Sequence, residues 1–164
     1  MPDLRYKAYA AAAAVVALDR LTKWIVETWV SLADSYRVIP GFFDIVHTQN
    51  RGVAFGLFDD SANGWQASLL VVLSLSAVGL LSALLWNPRR FDRRSLWGFS
   101  LILGGAAGNV FDRIAWGRVT DFLLLYIGRY QWPTFNVADS AIVIGSGLLL
   151  LDLLHPKRQA AHVP

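Results

Sequence analysis

Two aspartates in the C-terminal half of the chain lie where a carboxylate pair can do chemistry. Asp121 belongs to the β-favouring stretch VTDF, and Asp139 stands at the start of an apolar run long enough to cross a bilayer. Two carboxylates that lie close together do not both ionise easily, so they share a proton near neutral pH. The ionised member can then take a proton from water while the protonated member polarises a carbonyl group, which is the chemistry of an aspartic peptidase.

Each aspartate also has a structural interpretation, and the pair has a second functional one. Asp121 can be a turn residue, and Asp139 can be the N-cap of a helix. The pair can instead carry protons or cations through a transporter, in a relay with Asp19, Lys23 and Asp112. A peptidase site needs to open only to one leaflet, whereas a relay needs polar groups in both halves of the bilayer. The residue pattern leaves these alternatives open.

Other catalytic chemistries lack the residues that they need. The chain contains no cysteine, which excludes a thiol nucleophile and a thiolate metal site. Its three histidines, His47, His155 and His162, belong to no HExxH motif, and no GxSxG motif is present. We therefore expect no metal and no cofactor. The net charge of +3 is carried in short basic clusters, which indicates membrane orientation and not nucleic-acid binding.

Polar residues also interrupt the apolar segments at helical spacing. Asp19, Lys23 and Glu27 are four residues apart and share one helical face, where an ion pair is either purely structural or part of a site. In the stretch GGAAGNVFDR, Gly104 and Gly108 form a GxxxG pattern, which lets another helix approach closely.

Three polar residues follow the glycines on one side of the same helix. Asn109, Asp112 and Arg113 stand at positions i, i+3 and i+4. Asp112 is either the counter-ion of Arg113 or a part of the site, and the long side chain of Arg113 can extend to the outer interface. Gly117 predicts the end of this helix.

The composition predicts an integral membrane protein. Of the 164 residues, 55% are hydrophobic and only 16% are charged, and the mean hydropathy is +0.42. Four segments predict an all-α membrane protein with four transmembrane helices, at about 6–30, 65–86, 96–115 and 135–154. We expect the whole chain, 1–164, to form a single membrane domain. The stretch YRVIPGFFDIVHTQN predicts a small β-element within 31–64 on the outer membrane surface, although an irregular loop fits it equally well.

Basic residues predict the orientation of the helices. Three clusters fall on one side of the membrane if four helices alternate: Arg5 with Lys7, the arginines within 89–94, and Lys157 with Arg158. That side is expected to be cytoplasmic, so both termini lie inside and the segments 31–64 and 116–134 lie outside. The N-terminal stretch MPDLRYKAYAAAAAVVAL imitates a signal peptide, but it continues as TKWIVETWV, so we expect a spanning helix that is retained.

Four motifs in a fixed order resemble the lipoprotein signal peptidases, also called signal peptidase II. They are LDRLTKW (18–24), NRGVAFGLF (50–58), GGAAGNVFDRIAWGRVTDF (104–122) and FNVADSAI (135–142). The resemblance covers nearly the whole chain. It implies an aspartic endopeptidase of the bacterial inner membrane, with four transmembrane helices and a small extracytoplasmic β-element. Such an enzyme removes signal peptides from prolipoproteins and cuts just before a cysteine that carries diacylglycerol.

The same resemblance implies the roles of individual residues. The catalytic pair maps onto Asp121 and Asp139, and Asp112 matches a strongly patterned position that is not catalytic. The remaining positions that line or support the site are Asn50, Asn109, Arg113, Asn136, Asp19 and Lys23. The expected partners are prolipoprotein substrates with a diacylglyceryl cysteine and the membrane lipid. A monomer is expected to suffice, since one chain can hold the whole site.

Overall fold

Four long helices and one small sheet make up most of the two ranges, 4–51 and 65–154, that the computed structural model describes. The helices are α1 (Leu4–Trp29), α2 (Trp65–Trp86), α3 (Arg93–Trp116) and α4 (Val137–Leu154). The strands are β1 (Ser35–Ile39), β2 (Phe43–Asn50), β3 (Val119–Ile127) and β4 (Tyr130–Gln131), and a short 3-10 helix at Pro88–Arg90 precedes α3. Each helix begins and ends within three residues of the range predicted from its apolar segment.

Helix α3 lies at the centre of the bundle because its glycines let two neighbours approach closely. A methyl group added at Gly104 would lie 2.6 Å from the Ala12 carbonyl oxygen of α1, so the predicted GxxxG contact is confirmed and its partner is α1. The opposite face packs on α4, where a methyl group at Gly105 would collide with the Ala138 carbonyl oxygen. This second face was not predicted.

The ends of α3 are defined by its sequence. The Asp92 side chain accepts a hydrogen bond of 2.9 Å from the Ser95 amide and caps the first turn. Gly117 closes the helix in the left-handed conformation, with φ of 68°, as predicted. Strand β3 then begins at Val119, so the sharp turn brings this strand back beside the last turn of α3.

The four strands form one antiparallel sheet in the order β1-β2-β3-β4. The prediction of a β-element within 31–64 was therefore incomplete, because β3 and β4 come from 116–134 and pair with β2. Thr48 lies opposite Asp121, and Asn50 lies opposite Val119. Pairing between strands so far apart in sequence depends on tertiary packing, which local residue patterns do not report.

Two of the four helices are long and apolar enough to cross a membrane by hydropathy alone. They are Ser68–Trp86 of α2, with a mean hydropathy of 2.4, and Val137–Leu154 of α4, with a mean of 1.9. Within the described residues, α1 and α3 do not meet the same measure. The charged residues Asp19, Arg20, Lys23 and Glu27 interrupt the apolar run of α1. The structure is thus mostly helical with a small sheet, and hydropathy supports two spans where four were predicted.

The close approach of α3 and α4 predicts that Gly105→Ala destabilises the protein. The added methyl group meets backbone, which cannot move without separating the two helices, so we expect a loss of about 1–3 kcal/mol. Thermal unfolding in detergent micelles measures the change. Gly147→Ala in α4 is the matched control, because its added methyl group meets nothing within 4 Å. Equal melting temperatures for the two variants would contradict this packing.

Candidate functional site

Asp121 lies in the middle of β3 and is almost fully buried, so its interpretation as a turn residue is wrong. Its carboxylate accepts two hydrogen bonds, from Asn136 Nδ2 to Oδ1 at 2.7 Å and from Asn50 Nδ2 to Oδ2 at 3.1 Å. Its backbone is fixed as well, since the Thr48 hydroxyl of β2 donates to the Asp121 carbonyl oxygen at 3.0 Å. Strands β2 and β3 together therefore set the position of this carboxylate.

Asp139 lies in the first turn of α4 and does not act as its N-cap. Asn136 takes that place, since its Oδ1 accepts from the Asp139 amide at 2.9 Å. In return the Asn136 amide donates to Asp139 Oδ2 at 3.3 Å, which is the reciprocal pattern of a capping box. The other oxygen of Asp139, Oδ1, accepts from Asn109 Nδ2 of α3 at 2.7 Å. The cap thus holds Asp139 while one carboxylate oxygen faces a side chain of α3.

Two asparagine amides are oriented by groups that can only donate hydrogen bonds. The Asp139 backbone amide occupies the oxygen of Asn136, so the Asn136 amino group faces Asp121. The Lys23 ammonium donates to Asn109 Oδ1 at 3.1 Å, so the Asn109 amino group faces Asp139. Asn136 therefore contacts both aspartates, and each aspartate receives an N–H group with a fixed direction.

A cluster of buried charges supports this arrangement from the side of α1. The Lys23 side chain is fully buried and lies 2.7 Å from Asp19 Oδ2 and 2.6 Å from Asp112 Oδ2. Asp19 Oδ1 accepts from the Ala138 amide at 2.9 Å, so the cluster reaches the first turn of α4. Asp112 is consequently in direct contact with two cations of α1, Lys23 and Arg20, and it attracts its neighbour Arg113 at longer range. The predicted ion pair of Asp19 and Lys23 is confirmed.

Arg20, Glu27 and Thr120 were not predicted as a group. Arg20 donates to Asp112 Oδ1 at 2.6 Å and lies 3.7 Å from Glu27. Glu27 accepts from the Thr120 hydroxyl at 2.6 Å and does not pair with Lys23, despite their spacing. Thr120 precedes Asp121, so this chain of contacts ties β3 to α1. The signal that sequence reasoning missed was Arg20 itself, which lies next to Asp19 in the same apolar segment.

A cavity of about 500 Å³ holds the two aspartates. Asn50, Asn109 and Arg113 line it beside them, so Arg113 faces the aspartates and is not directed only to an interface. The rest of the wall is largely apolar and aromatic, and includes Trp132, Phe135, Ile142, Val143 and Ile144. This arrangement suits an extended apolar chain that crosses a pair of carboxylates.

The environment of Asp121 changes its acidity. Burial, and then repulsion by the charge of Asp139, raise the pKa of Asp121 from 3.8 to about 6, against the opposing hydrogen bonds of Asn50 and Asn136. A carboxyl group with such a pKa can give or take a proton near neutral pH, as a general acid or base must.

The structure describes only part of the remaining predicted features. His47 is buried, its Nδ1 lies 2.7 Å from the Val30 carbonyl oxygen, and it lines a separate cavity of about 240 Å³ with Asp112. In the motif NRGVAFGLF only the first two residues are described, and 52–58 lie outside the described ranges. His155 and His162 also lie outside them.

Comparison with known proteins gives consistent matches along the chain. A family model described as Signal peptidase (SPase) II matches residues 11–155. A lipoprotein signal peptidase of Solibacter usitatus is 67% identical over 163 residues, which is 99% of each chain. One of Maridesulfovibrio salexigens is 39% identical and covers 87% of this chain and 91% of the relative. A solved bacterial membrane enzyme, 29% identical, superposes with a TM-score of 0.83 over 96% of this chain and 94% of its own.

The raised pKa predicts how Asp121 affects stability. The folded protein binds the Asp121 proton more tightly than the unfolded chain does. The resulting contribution to the free energy of unfolding is complete below pH 3.8 and is lost as pH rises through about 6. We expect Asp121→Asn to remove this pH-dependent decrease in the free energy of unfolding, which is at most on the order of 3 kcal/mol. Thermal unfolding between these pH values measures it. Asp34→Asn, at an exposed aspartate, should keep the wild-type pH dependence, and a fall that persists in Asp121→Asn would contradict the assignment.

The buried cluster predicts that Lys23→Met is strongly destabilising. The substitution leaves Asp19 without its cation and Asp112 with Arg20 alone, and an uncompensated buried charge costs about 3–5 kcal/mol. Lys7→Met, at an exposed lysine of the same helix, is the control and should change stability little. Chemical or thermal unfolding of the two variants tests the difference, and a loss under about 1 kcal/mol for Lys23→Met would show that the cluster does not hold the bundle.

Proposed function

The chain belongs to the signal peptidase II family, and from this premise we propose that Asp121 and Asp139 are the catalytic pair with which it removes signal peptides from prolipoproteins. One observation carries the proposal: both aspartates hydrogen-bond to Asn136 and line the same largely apolar cavity. The cut falls just before the cysteine that carries diacylglycerol.

The pair acts through a shared proton. The ionised carboxylate takes a proton from a water molecule as the water oxygen attacks the scissile carbonyl carbon, and the protonated carboxyl gives its proton to the carbonyl oxygen. The tetrahedral diol collapses as the carbon–nitrogen bond breaks. One hydroxyl returns its proton to the carboxylate that had protonated the carbonyl oxygen, and the leaving nitrogen takes the proton that the other carboxyl had received from water. The pKa of Asp121, about 6, supports this exchange near neutral pH.

Neighbouring side chains hold the substrate and the pair. The peptide must leave helical geometry at the cleavage point, because a hydrogen-bonded helix shields its carbonyl groups. The donor groups of Asn50, Asn109 and Arg113 line the cavity and hold the unwound backbone, while Asn136 orients the aspartates. Asp112, Asp19 and Lys23 support these residues from behind without touching the substrate.

All four helices cross the bacterial inner membrane in this proposal. Only 11% of the apolar segment Ser68–Trp86 in α2 and 17% of the apolar segment Val137–Leu154 in α4 is buried, so these surfaces are free to face lipid. Helices α1 and α3, with 26 and 24 residues, exceed the roughly 20 that a span requires. The charges of α1 turn inward, since Asp19 and Lys23 are fully buried, whereas Trp24 and Leu18 on the same helix are exposed.

The orientation follows from the basic residues at the helix ends that lie farthest from the aspartates. Arg5 and Lys7 at the start of α1, and Arg93 and Arg94 at the start of α3, make that side cytoplasmic, with both termini. The sheet and the aspartates then lie at the outer leaflet, where a signal helix meets the interface. In this proposal the chain acts as a single domain and as a monomer, because its own residues Asn50, Asn109 and Asn136 are enough to supply hydrogen bonds to both aspartates.

A proton or cation relay fits the described residues less well. A transporter needs polar groups along both halves of the bilayer, whereas no ionisable residue occurs in α2. In α4 the only one after Asp139 is Asp152, and its carboxylate accepts a hydrogen bond from Ser95 at 2.6 Å, near the far end of the helix. The charged cluster around Lys23 therefore has no continuation toward the cytoplasm in these two helices.

The proposed pair predicts that Asp121→Asn and Asp139→Asn each abolish cleavage. Asparagine keeps the shape of aspartate but can neither act as base nor hold the shared proton, so we expect a loss of at least about 10³-fold. Cleavage of a diacylglyceryl-modified prolipoprotein by purified protein, read by mass spectrometry, measures it. Asp34→Asn should cleave at the wild-type rate. A folded Asp121 or Asp139 variant with near wild-type activity would refute the pair.

A further inference from the structure

The end of the sheet that is formed by the turns at 40–42 and 128–129, here called the turn end, holds a cavity of about 220 Å³. Among the described residues it shares none with the cavity of the aspartates. The Tyr126 amide donates to the Phe42 carbonyl oxygen at 2.9 Å, so the two turns lie side by side. The cavity is lined by Arg37, Gly41, Asp44, Tyr126 and Gly128.

A buried carboxylate in the wall of this cavity has an oxygen without a hydrogen bond. Asp44 is only 6% exposed. Its Oδ2 accepts from the Tyr126 hydroxyl at 3.2 Å, whereas its Oδ1 has no partner among the described residues. A buried carboxylate oxygen without a donor loses its hydration and gains nothing in return, which is costly and uncommon. The wall therefore presents an acceptor that a donor group, and above all a cation, would satisfy.

The opposite side of the same cavity carries a guanidinium group. Arg37 of β1 lies directly opposite Asp44 of β2 in the sheet, so both side chains leave the same face. Their charged groups form no ion pair among those that the described residues make, although their backbones are neighbours. A ligand that fits between them needs a donor for Asp44 and an anion for Arg37. An ammonium group joined to a phosphate meets both needs.

The surroundings of the cavity favour a lipid over a free solute. Phe42 and Ile127 adjoin the two lining glycines in the chain and are 51% and 63% exposed. Tyr130 of β4 and Ile39 of β1 add 58% and 48% exposed side chains at the same end of the sheet. Large apolar and aromatic side chains gathered on one exposed surface indicate contact with the membrane interface. In the proposed orientation this end lies at the outer leaflet, at the level of the phospholipid headgroups.

We propose that this cavity binds the headgroup of a phosphatidylethanolamine of the outer leaflet, with its ammonium group on Asp44 and its phosphate on Arg37. The ligand differs from the substrate, because a diacylglyceryl cysteine carries neither phosphate nor ethanolamine. The bound headgroup holds the turn end of the sheet on the bilayer, and β2 and β3 run from there to Asn50 and Asp121. The site rests on the proposed membrane orientation and not on the assignment of the catalytic pair.

Lipid binding to the purified protein in detergent tests the site. Native mass spectrometry measures the lipid retained after separate addition of phosphatidylethanolamine, phosphatidylcholine or phosphatidylglycerol. Phosphatidylcholine keeps the phosphate and the positive charge but has no N–H group, and phosphatidylglycerol has no cation. We expect phosphatidylethanolamine to bind at least about tenfold more tightly than either, because only its ammonium group donates a charge-assisted hydrogen bond to the buried carboxylate.

Two variants each remove one ligand of the headgroup. Asp44→Asn removes the charge but keeps an oxygen for the Tyr126 hydroxyl, and Arg37→Gln changes an exposed side chain, so both should fold. We expect each variant to weaken phosphatidylethanolamine binding about tenfold. Asp34→Asn and Arg94→Gln remove the same charges at exposed positions elsewhere and should bind like wild type.

Each of three results would overturn the proposal. They are equal retention of phosphatidylethanolamine and phosphatidylcholine, unchanged retention in Asp44→Asn, and full stabilisation against heat by soluble phosphoethanolamine without lipid. The measurement is repeated in Asp139→Asn, which should bind lipid like wild type. Lipid binding and cleavage therefore fail independently. An Asp139→Asn protein that still cleaves refutes the catalytic pair, and a wild-type protein without lipid preference refutes the site.

Discussion

The buried ammonium group of Lys23 is the interaction on which the rest of the structure depends. It has no contact with solvent, and its partners are Asp19, Asp112 and Asn109. A desolvated charge is stable only with such complete compensation, so α1 and α3 must dock in one register. Asp19 extends the constraint to α4 through the Ala138 amide, next to Asp139 in sequence. Three helices are thereby joined at one point.

The geometry of the aspartates follows from that point. Lys23 occupies the oxygen of Asn109, which leaves the amino group of this asparagine for Asp139. The cap of α4 sets Asn136 in the same way, and its amino group reaches Asp121 on β3. The buried charge of Lys23 and the cap of α4 therefore orient the two asparagines that contact the aspartates, because donor-only partners fix which end of each amide faces which neighbour.

Local sequence patterns determined the helices of this protein, and only the tertiary structure decided their partners. Apolar run lengths and Gly117 placed the helix bounds, and the GxxxG spacing marked the face of α3 that meets α1, because these are properties of neighbouring residues. Motif resemblance selected Asp121 and Asp139. The pairing of β3 with β2, the link of Asp112 to Lys23 and Arg20, and the bridge of Asn136 between the aspartates join residues far apart in the chain. Such contacts depend on how helices pack around a buried charge, and periodicity along one segment carries no information about them.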